Sequence, residues 1–594
     1  MAIECYNRAL LSDPDSFDLN VAVGDVLKKQ NKFEESINAY NKALIIKPNS
    51  IKTLIKKAEL LKIEGNFDSL IDIYTRILNI EPNNYIAHNS IGCIKIDQMK
   101  LKEALVIFNK AIALKSDNVY AYYNIAVIKV MLRNHKESIK FYKKALSLKP
   151  GFENARAQKL HQQSYIIDWA DIEQDKSLIP QLGILKEPII PFILLSLDDA
   201  PERHKKRAEI LVKNRFLHKP LPSTSKMKEK HKPIRIGYFS SDFKEHPVAY
   251  LLARVFEKHD RSQFTVHGYS IKATKKDSMH KRLVAAFDEF KDLSDVSDKE
   301  AALTVREDGI DIAIDLNGYT ANSRIGIFAY RAAPIQINYL GYPGTIGADF
   351  IDYIIADQTL IPEDSMKYYS EKPIYLPHTY MPTDNTRKIS TKPITRTEMG
   401  LPEDSFVFCC FNNNYKITSE EFDIWMRILG QLPNSVLWLR KSNEWSEANF
   451  IKEARKRNID PSRLIFAGKL DMKEHLARHR LADLFLDTFN FNAHTTASEA
   501  LWAGLPVVTK MGKGFAARVA GSLLKAIDCP ELITETKEDY EALIVELSTN
   551  PKKLSEIREK VTSNRLSKPL FNTDLYTKNL EDSFKQVYQN HINN

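Results

Sequence analysis

A 34-residue period over the first 150 positions constrains this chain more than any other feature. Pro14, Pro48, Pro82 and Pro150 fall on it, with Ser116 in the fourth slot. The same interval aligns Tyr6, Tyr40, Tyr74, Phe108 and Tyr142, then Ala9, Ala43, Ile77, Ala111 and Ala145, and then Gly24, Ala58, Gly92 and Ala126. Independent columns on one period mark a repeated supersecondary unit that buries its apolar face only against its neighbours. The small residues let two helices of a unit approach, the aromatic fills the gap between units, and Pro ends the second helix.

This pattern resembles the tetratricopeptide repeat, a helix–turn–helix of 34 residues. Residues 1–14 supply a second helix alone, and four full repeats follow, so the solenoid is expected over 1–150. Ala2, Ile3 and Leu10 then lie near an uncapped apolar face, which either continues into further repeats or docks on something. Such an array offers a concave surface for proteins or peptides. Asn31, Asn38, Asn41 and Asn49 do not recur on the period, so no asparagine ladder is read there.

Residues 151–233 read as a helical transition, with helices over 155–169, 190–197 and 203–214 and a Pro- and Lys-rich linker over 219–233. From Ile234 the pattern turns to short β-rich runs alternating with helical stretches. IRIGYFS, FTVHGYSI, DIAIDLNG, IQINYL and YIIAD form a first set, over 234–385. FVFCCFN, SVLWLRK, LIFAG, LFLDT and PVVTK form a second, over 386–594, ending in an amphipathic helix. Each set reads as a doubly wound parallel sheet. Two Rossmann-like halves with a cleft between them suggest the GT-B architecture, so the fold class is α + α/β, a helical solenoid followed by GT-B. Neither half contains G-x-G-x-x-G or a P-loop, which speaks against a dehydrogenase or NTPase.

Ligands of such sheets bind beyond the carboxyl ends of the strands. In 484–510, a strand runs through a polar loop (Asn490, Asn492, His494) into a helix that starts at Thr495 and Thr496. A helix N-terminus offers unpaired N–H groups, so His494, Thr495 and Thr496 suit a phosphate, and Glu499 one turn on suits a sugar diol. An ordinary helix cap beside a core strand is the alternative. Lys416 follows the first strand of the second half and would neutralise a diphosphate, or else be solvated. His475, read as starting a helix, and Arg478 one turn later face the same end, unless that helix is merely surface. In the first half His246 precedes Pro247 at a helix start, so it projects into the cleft or caps the helix. Asp315 and Asn317 end a strand, and Gly341 and Gly344 make a turn where backbone would approach a sugar.

The combination resembles glycosyltransferase family 41, the OGT/SPINDLY family, whose best-known members are protein O-linked N-acetylglucosamine transferases. The matching segments are HP at His246, DLNGYT from Asp315, APIQINYLGYPGTIGADFIDYIIAD from Ala333, FNNNYKI from Phe411, LPNSVLWLRK from Leu432 and LDTFNFNAHTTASEALWAGLPVVT from Leu486. The resemblance implies an inverting transfer from a nucleotide sugar to a protein side chain without a metal or other cofactor. It implies that Lys416 stabilises the diphosphate, Thr495 and Thr496 contact it, and His475 lies against the uracil with Arg478 beside it. It further implies that His246 sits near the acceptor, with Gly341, Pro343 and Asn317 at the sugar. Glu499 stands where animal members carry Asp for the ribose, and Asn413 where they carry Gln near the donor. The donor implied is UDP-N-acetylglucosamine. GDP-fucose with SPINDLY-type O-fucosylation, and an inactive binding scaffold, are the alternatives.

Charge and cysteine usage bound the rest. A net charge of +9, from 85 basic and 76 acidic residues, favours phosphate ligands without demanding nucleic acid. Cys5, Cys93, Cys409, Cys410 and Cys529 have neither metal spacing nor a disulfide framework, which fits a reducing, cytoplasmic setting. No apolar run is long enough to span a membrane and no signal pattern opens the chain. Homo-oligomerisation is left open.

Overall fold

The repeat period becomes a ladder of helix pairs because its small residues leave no alternative. A Cβ on Gly24 would lie 2.4 Å from the Tyr40 ring, and one on Gly92 2.6 Å from the Phe108 ring. Tyr40, Phe108 and Tyr142 are fully buried, as are Ala58 and Ala126 in the other two small-residue slots. The computed structural model describes residues 2–64, 67–217, 220–223 and 231–593. Helix Ala2–Ser12 comes first, and the pairs Phe17–Lys29 with Phe33–Ile46, Ile51–Glu64 with Phe67–Ile80, Tyr85–Asp97 with Leu101–Leu114 and Val119–Met131 with His135–Leu148 follow. Asn31, Met99 and Arg133 adopt left-handed φ of 58°, 59° and 57° in the tight turns within pairs. Each second helix stops at the residue two before the Pro or Ser column. The side chains of Ala2, Ile3 and Leu10, and the linker residues 219 and 224–230, lie outside the described set.

The chain forms two compact units, one built on residues 1–159 and the other on 160–215, 221–296 and 301–594. The transition expected over 151–233 is therefore not a separate region. Residues 160–215 belong with the α/β unit because their polar groups find partners there. Trp169 Nε1 donates to the Ile417 carbonyl at 3.2 Å, and Asp199 accepts the Lys513 and Gly514 N–H groups at 2.7 and 2.6 Å. The Arg207 guanidinium is buried whole, on the Leu182 and Ile179 carbonyls and Asp198. The helix expected over 190–197 reduces to the 3-10 turn Pro191–Leu194.

The α/β unit contains two parallel sheets. The first holds β1 Ile234–Ser240, β2 Phe264–Ser270, β3 Glu289–Asp292, β4 Ile312–Asp315, β5 Ile335–Asn338, β6 Tyr353–Ala356 and β7 Lys372–Tyr375, in the order β3-β2-β1-β4-β5-β6-β7. The second holds β8 Phe406–Cys410, β9 Ser435–Arg440, β10 Leu464–Ala467, β11 Leu484–Leu486, β12 Val507–Lys510 and β13 Ile533–Thr534, in the order β10-β9-β8-β11-β12-β13. All ten strands read from the sequence are present. The three it missed, β3, β7 and β13, are all edge strands, which tolerate short or polar runs and a proline such as Pro373. The strand order reverses between β1 and β4 and between β8 and β11, and a crevice for ligands opens beyond the carboxyl ends at such points.

The final helix, Thr573–Asn593, does not stay with the second half as expected but packs on the first. Glu581 accepts from His259 Nδ1 at 2.9 Å and from the Asp260 N–H at 2.7 Å, and Tyr576 donates to the Tyr380 carbonyl at 2.6 Å. Near the crossover the halves are also joined by Asp357, which accepts from Ser522 Oγ at 2.6 Å.

Candidate active site

The loop after β11 is shaped by one carboxylate. Asp487 accepts the N–H groups of Thr488 at 2.8 Å and Ala493 at 2.6 Å, and the Thr509 hydroxyl at 2.7 Å. Asn492 Nδ2 donates to the Thr488 carbonyl at 2.7 Å, which completes a tight curl. The curl delivers the chain to helix Thr495–Trp502, with His494 at the cap position. His494 gives its side chain not to the helix but to the Ala516 carbonyl, with Nε2 3.0 Å away. Burial first, and then the charge of Lys416, push its pKa well below the ordinary value, so it is neutral. The first-turn N–H groups of this helix thus have no side-chain cap.

Lys416 reaches the same place from the end of β8. It ends the 3-10 turn Asn414–Lys416, and its Nζ donates to the Asn492 carbonyl at 2.8 Å, 4.0 Å from the Phe491 ring centroid. Burial drives its pKa down to about 7, against the opposing pull of Asp487 and Cys410. Burial raises Asp487. Thr496 Oγ1 donates to Asn412 Oδ1 at 2.7 Å and so ties the helix start to the β8 loop. Lys416, His494, Thr495 and Thr496 therefore come together as the sequence suggested, with Asp487 and Asn412 as organisers it had not singled out.

The helix bearing His475 runs Met472–Arg478 and is capped by Asp471, so His475 lies in its last turn and does not start it. Asp471, a better cap than His, accepts the Lys473 and Glu474 N–H groups and fixes that boundary. His475 Nε2 is 3.3 Å from Glu499 Oε2, which joins two candidate residues directly. Arg478 is turned inward, its guanidinium 4.5 Å over the Phe411 ring and bonded to the Gly468 carbonyl at 2.6 Å. Burial lowers its pKa to about 10. It packs on the same Phe411 ring that His475 contacts, with ring centroids 5.8 Å apart for the His475–Phe411 pair. Asn413 Oδ1 is held by the Arg440 guanidinium.

In the first half, β1 and β4 end side by side, Phe239 opposite Asp315. Asn317 was expected to line a sugar pocket; instead its amide is consumed by protein. Its Oδ1 accepts the Ser241 N–H at 2.8 Å, and its Nδ2 donates to Ser241 Oγ at 2.9 Å and Asp242 Oδ2 at 3.0 Å. It pins the loop that carries Asp242 and then His246. His246 caps helix Pro247–Lys258 weakly, with Nδ1 3.4 Å from the Val248 N–H, and lies 3.9 Å from Asp242 Oδ2. The capping reading holds, and the side chain stays 37% exposed. Burial lowers its pKa, which keeps the imidazole neutral near pH 7.

Gly341 also corrects the expectation. A Cβ there would lie 2.0 Å from the Leu316 carbonyl oxygen, so the missing side chain admits the β4 loop rather than a sugar. Pro343 is buried in the same turn, which Asn338 Nδ2 closes on the Gly344 carbonyl at 2.9 Å. The halves meet at the candidate site on one more count. Burial, then the charges of Glu245, Asp277 and Glu499, raise the pKa of Tyr250 on the helix that His246 begins. Among the described residues no group of three or more His, Cys, Asp or Glu is arranged to hold a metal ion.

The sequence pattern of Glycosyl transferase family 41 matches residues 200–392 and 388–580, and that of the tetratricopeptide repeat matches 17–50 and 119–152. The chain is 38% identical over 366 residues to a probable UDP-N-acetylglucosamine–peptide N-acetylglucosaminyltransferase, SEC, of Arabidopsis thaliana, covering 61% of this chain and 38% of that protein. A UDP-N-acetylglucosamine–peptide N-acetylglucosaminyltransferase of Caenorhabditis elegans is 29% identical over 468 residues (60% and 41%). A SPINDLY protein of Arabidopsis thaliana, named as a probable transferase of the same kind, is 30% identical over 380 residues (63% and 41%). The chain spans about two-fifths of the length of these curated relatives. A solved structure of an O-GlcNAc transferase variant from Thermobaculum terrenum is similar over 91% of this chain and 98% of that one, with a TM-score of 0.68 at 27% identity.

Proposed function

Because the chain belongs to glycosyl transferase family 41, we propose that it transfers N-acetylglucosamine from UDP-N-acetylglucosamine to serine or threonine hydroxyls of proteins, with inversion and without a metal. The observation that carries the reading is the buried Lys416 beside the uncapped first turn of helix Thr495–Trp502, at the point where the strand order reverses. A buried amine next to free helix N–H groups is an anion site in search of a compact dianion. A diphosphate has that shape and charge. One helical turn on, Glu499 and His475 suit the ribose and base ends of a nucleotide. GDP-fucose is the weaker donor candidate, since SEC, the Caenorhabditis elegans enzyme and SPINDLY are all named for UDP-N-acetylglucosamine.

The acceptor hydroxyl would approach from the first half, where His246 stays accessible at a helix start. Its oxygen attacks the anomeric carbon from the face opposite the diphosphate, and the bond to the diphosphate oxygen breaks with its electron pair. A single displacement inverts that carbon. The proton leaves to neutral His246 or to a phosphate oxygen, and Lys416 with the helix N–H groups balances the charge gained by UDP. Lysine, amides and hydroxyls thus supply the work a divalent cation does elsewhere. The repeat array would receive acceptor segments, and the five free cysteines suit a reducing, cytoplasmic compartment. No helix among the described residues is long and apolar enough to cross a membrane.

The test is a transfer assay to protein acceptors with UDP-N-acetylglucosamine or GDP-fucose, with and without EDTA, read by mass spectrometry and by the anomeric configuration of the product. The N-acetylhexosamine adduct must form from the UDP donor, form in the presence of EDTA and be β-linked. Transfer from GDP-fucose alone, or loss on chelation restored by magnesium, would overturn the donor or the metal-free mechanism respectively.

A further inference from the structure

One side chain in the candidate site has no counterpart in the sequence reading. Arg387 lies on the segment that joins the two sheets, and its side chain is 5% exposed. None of its three guanidinium nitrogens has a hydrogen-bond partner, although all three are buried. The nearest carboxylate atom is Glu499 Oε1, 3.8 Å from Nη1, too far for a direct hydrogen bond. Buried guanidinium groups are otherwise bonded, as Arg207 is here to two carbonyls and a carboxylate. Nor is Arg387 carried by a loose loop. Trp502 Nε1 donates to its carbonyl at 3.2 Å, and three residues upstream Asp384 is bonded to Arg282 of the first half at 2.7 Å.

We propose that Arg387 is a donor-binding residue, and that it and Glu499 together hold a hydroxyl of the donor's ribose between them. The guanidinium only donates hydrogen bonds and the carboxylate only accepts them. A group that fits between the two must do both, which is the property of a hydroxyl and of neither a phosphate nor a carbonyl. Glu499 lies one helical turn beyond the anion site, the separation between a nucleotide's phosphates and its ribose. The other carboxylate oxygen is already engaged by His475 Nε2 at 3.3 Å, so Oε1 is the one left for the ligand. The inference rests on the proposed nucleotide-sugar reading and adds to it a contact from the segment between the halves, anchored on both.

The test is calorimetric titration of UDP and of 2′,3′-dideoxy-UDP into the full chain and its Arg387→Met and Arg387→Lys variants. In the unsubstituted protein UDP should bind about tenfold or more tighter than the dideoxy compound. Arg387→Met should abolish most of that preference while leaving dideoxy-UDP affinity within about twofold, and Arg387→Lys, which keeps a buried donor if the apolar variant does not fold, should retain part of it. An equal loss for both ligands, or a preference unchanged in both variants, would overturn the role of Arg387 and leave the nucleotide site standing. Failure of the unsubstituted protein to bind either ligand would overturn the proposed donor, and this inference with it.

Discussion

Replacing Lys416 by methionine tests the charge chemistry at its centre. Methionine fills the space against Phe491 and keeps a contact that sulfur favours, so the fold is expected to survive. With its pKa lowered by burial to about 7, Lys416 is mostly neutral at about pH 8, about one-tenth protonated. An ammonium about 4 Å from a phosphate charge, at an effective dielectric of about 20, gains about 4 kcal/mol, equivalent to about three pKa units. Bound UDP should therefore lift Lys416 to about 10, and binding at about pH 8 should take up about 0.9 proton. Calorimetry in two buffers of different ionisation enthalpy counts that proton directly. Lys416→Met should remove the uptake and slow transfer by about 10² or more. The stability linkage has the opposite look. A lysine whose folded pKa is depressed binds fewer protons folded than unfolded between about 7 and the ordinary value of 10.5. Its contribution to stability therefore rises with pH across that window, and Lys416→Met should flatten the slope. Equal proton uptake in both proteins, or none in the unsubstituted one, would refute the assignment of Lys416 to the diphosphate.

Four further outcomes follow from the first half. His246→Ala should lower transfer to peptide far more than it weakens UDP binding, at a stability cost of about 0.5–1 kcal/mol for the lost weak cap; calorimetry beside a transfer assay separates the two. Since burial lowers the pKa of His246 from 6.5, the acid limb of transfer it governs should lie below about pH 6.5, and a limb above neutrality would contradict its role. Asn317→Ala strips the buried Ser241 N–H of its acceptor and should cost about 1–3 kcal/mol in denaturant unfolding, with UDP affinity unchanged. Gly341→Ala drives a Cβ into the Leu316 carbonyl and should lower stability by about 1–3 kcal/mol in the same assay, whether or not sugar donor is present.

What the sequence made legible divides along a physical line. Periodic columns and apolar runs report burial, and burial is decided locally, so the helix pairs and ten strands could be read directly. The strands it hid are edges, where only one side is packed and the composition signal fades. At the site, placements set by the neighbouring backbone are readable: Lys416 after a strand end, Thr495 at a helix start. Roles that depend on distant partners are not. Asn317 looks like a ligand residue until Ser241 and Asp242, far away in the chain, are seen to consume its amide. Arg387 looks like a linker cation until its guanidinium is found buried beside Glu499 without a hydrogen-bond partner.

Gly341 carries that distinction to its last step. The glycine-rich turn reads as chain flexibility, yet the left-handed φ of 69° in it falls on Leu340, which glycine freedom does not explain. Nor does flexibility say what occupies the space that a side chain would have filled. Here the occupant is the Leu316 carbonyl, one residue from Asn317. The turn after β5 therefore braces the loop after β4, Asn317 braces the loop after β1, and that loop leads to His246. On the proposed reading, the acceptor side is thus built as a relay of backbone supports ending in one accessible imidazole, whereas the donor side would bring its charged groups to the ligand directly. Substitutions along the relay should accordingly change transfer together with stability, and those at Lys416 should change binding chemistry with the fold intact.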